Sequence, residues 1–74
     1  MRHLRLTAVI ESEGDGYVAL CPELDIASQG KNVEDARENL REAVELFFET
    51  ADSSEAEARL QSDVFVTSLE VAVG

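Results

Sequence analysis

From Asn32 to Ala51 the chain reads NVEDARENLREAVELFFETA, and this run constrains the fold more than any other feature. With successive residues about 100° apart on a helix, Val33, Ala36, Leu40, Ala43, Val44 and Phe47 fall within an arc of roughly 100°. Glu34, Glu38, Glu42, Glu45 and Glu49 fall on the opposite side, within roughly 80°. Asn32 has the short polar side chain of an N-cap, and Glu34 and Asp35 place negative charge in the first turn. The spacing predicts a helix over about 33–51 with one apolar stripe and one acidic stripe. Acids at 34, 38 and 42 repel at i,i+4, at about a few tenths of a kcal/mol per pair. Arg37 and Arg41 flank the stripe and offset part of that cost. Leu46 and Phe48 lie off the core arc, and Phe48 is placed to cover a sheet edge or meet another chain. The apolar stripe needs a flat apolar partner, which the rest of the chain must supply.

The rest reads as strands. Leu4, Leu6, Ala8 and Ile10 alternate with His3, Arg5, Thr7 and Glu11, which predicts a half-buried strand over 3–11. Glu13-Gly14-Asp15-Gly16 is a turn signal, with two glycines able to take positive φ. A second strand over 17–21 completes a hairpin and ends at Pro22, which cannot donate to a ladder. A short third strand is expected over 25–29, closed by Gly30. Ser54-Glu55-Ala56-Glu57 has the form of a capping box and predicts a short helix over about 55–60. Ser62-Asp63 leads into a final strand over 64–73. Phe65, Leu69, Val71 and Val73 occupy one face of it, with Val64, Val66 and Ala72 on the other. A strand apolar on both faces is either central or covered by a second chain. The expected class is α+β, in the order β-β-β-α-β. It is an antiparallel sheet with one main helix packed on one face, in a single domain over 1–74.

A chain of 74 residues has a small core, burying about 60% of its unfolded surface. Cores of that size rarely supply more than roughly 3–5 kcal/mol unaided. Cys21 is the only cysteine and His3 the only histidine, so neither an internal disulfide nor a zinc site of the usual ligands can help. Self-association is the remaining support. The expected interface residues are Phe48, Phe65, Leu69 and Val71, in a dimer or tetramer. One unpaired cysteine fits a reducing compartment, and Met1-Arg2-His3-Leu4-Arg5-Leu6 is too polar for a signal peptide, so the cytoplasm is the expected location. No run approaches the roughly 20 apolar residues of a membrane span.

Acids outnumber bases 16 to 6, for a formal net charge of −10. That balance argues against a nucleic-acid surface and against an anionic membrane, and it permits a basic protein partner. Chemistry is scarce. Cys21 has no neighbouring positive group in sequence to activate it and reads as a small strand residue. Gly14, Gly16 and Gly30 are not followed by a lysine at the spacing of a phosphate loop and read as turn residues. The remaining candidates are Glu11, Asp15, Glu23 and Asp25 near strand ends, which would have to converge on one cleft to hold Mg²⁺. Turn acids in contact with solvent are the plainer reading. No cofactor or metal is expected, and no catalytic set.

The order of these features resembles the HicB-like antitoxin family. The residues carrying the likeness are Gly16-Tyr17-Val18-Ala19, Cys21-Pro22-Glu23-Leu24-Asp25, Ser28-Gln29-Gly30, Val33-Glu34-Asp35-Ala36 and Asn39-Leu40-Arg41-Glu42-Ala43-Val44-Glu45-Leu46. Residues 4–50 follow the family pattern, and the remainder follows it by topology alone. Ile26-Ala27 and Lys31-Asn32 depart from it, and Cys-Pro-Glu-Leu-Asp is closer to a stand-alone subfamily. The resemblance implies a partial, degenerate RNase H-like fold without its catalytic carboxylates. It also implies oligomers and binding to a small basic, HicA-like toxin that cleaves mRNA. Many members carry a DNA-binding segment after the last strand. None follows here, so direct DNA binding is not expected. The residues expected to face a basic partner are Glu23 and Asp25 in the turn and Glu38, Glu42, Glu45 and Glu49 on the helix. The alternatives are a minimal Mg²⁺-dependent nuclease using Glu11, Asp15, Glu23 and Asp25, and an orphan oligomeric module with another partner.

Overall fold

A computed structural model describes residues 3–61 and 63–74. Three strands, β1 (Val9–Glu13), β2 (Gly16–Cys21) and β3 (Ile26–Gly30), form an antiparallel sheet in the order β1-β2-β3. Two helices follow, α1 (Val33–Thr50) and α2 (Ser53–Leu60). The architecture is α+β, with the sheet packed against α1, as the hydrophobic periods predict.

The β1–β2 hairpin turns through Gly14 and Asp15, with Glu13 paired to Gly16. Gly14 takes φ +59° at the first loop position, where a glycine costs nothing; Gly16 does not need that freedom. The first strand begins six residues later than the alternation predicts. Extending the register beyond Val9–Leu20 would set Thr7 opposite Pro22, where β2 has already turned away. Residues 3–8 therefore run beside the sheet without a ladder.

Helix α1 starts where predicted. The Asn32 side chain accepts the Asp35 backbone N–H at 2.8 Å, and the Asp35 carboxylate accepts the Lys31 N–H at 3.4 Å. Gly30 lets β3 run directly into this start: a Cβ there would lie 2.4 Å from the Ala36 nitrogen. Asn39 then donates to the Gln29 carbonyl at 2.8 Å, tying the helix to β3. The core is Ala19, Cys21, Leu24, Ala36 and Leu40, with Leu6, Ile10, Tyr17, Ile26, Val44, Phe47, Phe48 and Leu60 packed around it. Val33, assigned to the stripe by its spacing, is 45% exposed, because the helix only begins to meet the sheet one turn later.

Helix α2 starts earlier than expected. Its cap is Asp52, not Ser54: the Asp52 carboxylate accepts the Glu55 N–H at 2.8 Å, and the Ser54 hydroxyl donates to the same oxygen. The larger difference is the last segment. Residues 63–74 form no strand, so the expected final β of the β-β-β-α-β order is absent from the single chain. A strand exists by pairing, and among the described residues nothing pairs with these. Phe65, Leu69 and Val71 are 87%, 87% and 67% exposed. Ser62, expected to lead into this strand, lies outside the described residues.

Candidate functional surface

Helix α1 carries the most strongly charged face of the molecule. Glu34, Glu38, Glu42, Glu45 and Glu49 are all exposed, as their spacing requires. Arg41 is the cation among them. Its guanidinium donates to the Glu45 carboxylate at 2.7 Å and grips Glu38 through two nitrogens. The hydrogen bond from Arg41 holds the Glu38 carboxyl below the usual carboxylate range, so this acid stays ionised under mildly acidic conditions. Glu42 and Glu49 form no ion pair among the described residues. The face therefore presents five carboxylates, two of them clamped on one arginine.

The turn acids behave differently from the helix acids and from each other. Glu23 is half-buried and its carboxylate is fully engaged. It accepts the Thr7 N–H at 3.1 and 3.0 Å through its two oxygens, the Thr7 hydroxyl at 2.7 Å and the Cys21 thiol at 3.5 Å. Burial alone would raise its pKa. The hydrogen bonds it accepts, led by the one from the Thr7 hydroxyl and joined by those from backbone N–H groups and the Cys21 thiol, together outweigh burial and hold the group below the ordinary glutamate value. Glu23, expected from the sequence to face a partner, thus anchors residues 3–8 to the β2–β3 turn. Asp25 is exposed beside it, with φ +55°, a left-handed conformation that aspartate tolerates better than most side chains.

Cys21 is buried in the core. Burial pushes its thiol pKa up, and the hydrogen bond to Glu23 adds to the rise, so the thiol is not a poised nucleophile. The nuclease alternative needs Glu11, Asp15, Glu23 and Asp25 on one cleft. They are on β1, in the hairpin turn and in the β2–β3 turn, and no group of three metal-ligating side chains forms among the described residues.

One residue missed by sequence reasoning joins the β2–β3 turn to both helices. Arg59 on α2 donates to the Leu24 carbonyl at 2.7 Å, pairs with Glu55 at 3.2 Å and places its guanidinium carbon 4.9 Å from the centre of the Phe47 ring. Its sequence signal was only an i,i+4 match to Glu55. The side chain of Phe48, expected at an interface, is half-buried, edge-on to Phe47 at 5.3 Å, and lines a groove between residues 3–8 and the two helices. Among the described residues no helix is long and apolar enough to cross a membrane.

No protein-family model matches the chain, and no solved structure matches it. A curated relative, a UPF0150 protein of Helicobacter pylori (strain J99), is 34% identical over 68 residues, covering 90% of this chain and 94% of the relative. Likeness at that level over nearly the whole of both chains places this protein in the UPF0150 family.

Proposed function

We propose that this UPF0150 protein is an antitoxin of the HicB-like type, or a stand-alone relative, that neutralises a small basic mRNA-cleaving toxin by protein–protein contact. The observation that carries the reading is the α1 face: five exposed carboxylates with one clamping arginine, on a chain of net charge −10. A ribonuclease that binds RNA phosphates presents cations, and an acidic surface opposite them raises the association rate and selects the partner. Glu38, Glu42, Glu45 and Glu49 form the contact, with Asp25 as an outlying acid. The reading gives the chain no reaction and no metal of its own, and it places the protein in the cytoplasm with its partner's mRNA substrate.

The test is capture from native lysate at low salt, followed by stepwise elution with salt and mass spectrometry. A small basic ribonuclease should elute at moderate ionic strength, because exposed charge pairs are screened over about 8–10 Å at 0.1–0.15 M salt. Retention that ignores salt would overturn the electrostatic contact.

A further inference from the structure

The sheet order leaves β1 with a free outer edge, and α1 lies mainly over β3 and β2. On the β1 side the core is flanked by residues 3–8, which have no ladder partner. A solvent-open groove of about 1220 Å³ runs there, walled by Leu4 and Leu6 on one side and by Val44, Phe48 and Leu60 on the other. That is larger than the roughly 300–1,000 Å³ of small-ligand pockets. An unpaired edge beside an apolar wall is the arrangement that accepts an added strand.

The chain carries a segment of matching character. In residues 63–74, Phe65, Val66, Leu69, Val71 and Val73 are 67–91% exposed, and none of them lines the groove. Residues 64–73 contain one charge, Glu70, so they are the part of a −10 chain that a second such chain repels least. Glu45, Glu49 and Glu57 also line the groove, but Arg5 and Arg37 there form no ion pair among the described residues and offer Glu70 a counter-charge. The segment also projects. The molecule measures 50 × 28 × 18 Å with a radius of gyration of 14.5 Å, against about 11 Å for a compact chain of this length.

We propose that two copies exchange these segments. Residues 64–73 of each enter the other's groove as a strand along residues 3–8 and the free edge of β1. The exchange is two-fold and closes on itself, leaving no free copy of the groove or of the segment. Phe65 alone has on the order of 150 Å² to bury. Four further aliphatic side chains per segment, on two segments, bring the contact into the roughly 1,200–2,000 Å² of specific interfaces.

Sedimentation of the full chain at micromolar concentration should give twice its 8.1 kDa mass. Phe65→Asp with Leu69→Asp should return it to a monomer. Leu46→Asp, at a residue 58% exposed on α1 that does not line the groove, should leave the dimer intact. To separate loss of the contact from loss of folding, a second measurement uses intact chains. Phe65 is replaced by its photoreactive benzophenone analogue in ¹⁵N-labelled chains, which are refolded with unlabelled wild type. Crosslinks from labelled position 65 to unlabelled residues 3–8, α1 or α2 at the groove bear the proposal out. A monomer at every concentration, a double variant that stays dimeric, or crosslinks confined to one chain or falling outside the groove would overturn it.

Discussion

A single carboxylate, Glu23, fixes the path of residues 3–8 through the N–H and hydroxyl of Thr7. Its pKa is depressed in the folded chain, so its contribution is present above the ordinary glutamate pKa of about 4.3 and is lost as pH falls through the folded value. Glu23→Gln should therefore destabilise the protein by about 1 kcal/mol near neutral pH. The variant and wild type should converge in acid, as read by thermal unfolding between pH 7 and 3; parallel curves would contradict the anchor. Arg59 makes the second long-range tie. Arg59→Ala should cost about 1–2 kcal/mol, combining a charged hydrogen bond, part-exposed, with a cation–π contact. Arg59→Lys should recover little of that in chemical unfolding, because a lysine cannot donate to Leu24 and Glu55 as a planar fork while lying on a ring. Gly30→Ala should cost about 1–3 kcal/mol, since the new methyl meets helix backbone rather than a movable side chain. None of these roles was legible in the sequence. Glu23 and Thr7 are 16 residues apart and Arg59 and Leu24 are 35 apart, and periodicity carries no information about such pairs.

Elements were legible to the extent that their determinants are local. The Asn32 cap, the apolar spacing and the acidic stripe fall within a few residues of one another, and α1 formed close to its predicted bounds. The hairpin was legible from Gly14 for the same reason. The start of β1 was not, because the alternation of Leu4, Leu6 and Ala8 continues past the point where β2 runs out at Pro22. The segment 64–73 has strand character in its residues, but pairing is a property of two segments, and the single chain supplies one. At this scale the acidic face can be tested without disturbing the Arg41 clamp. Glu42→Lys with Glu49→Lys should leave stability unchanged or raise it by a few tenths of a kcal/mol, about the size of the i,i+4 repulsions it removes. The same variant should weaken partner binding at least tenfold in titrations at low salt. Equal affinity would separate the face from the contact.

For the whole molecule, a −10 charge and a small core pull in opposite directions. The acids favour a cationic partner, while the thin core and the exposed segment favour a second copy, and the two needs fall on adjoining features: the α1 carboxylates and the groove beside residues 3–8. Glu45 and Glu49 lie on both, so partner binding and self-association share a border. With Glu11, Asp15, Glu23 and Asp25 spread over β1 and two turns, the chain should show no rise in melting temperature with millimolar Mg²⁺ or Mn²⁺; a concentration-dependent rise would indicate a metal site by mass action. The most direct measurement of the central claim is RNA cleavage by the salt-eluted partner, titrated with this protein at low ionic strength. Cleavage should fall to background near stoichiometric addition and return as salt is raised. A lysate that yields no basic ribonuclease, or a ribonuclease whose cleavage is unaffected by excess protein, would contradict it.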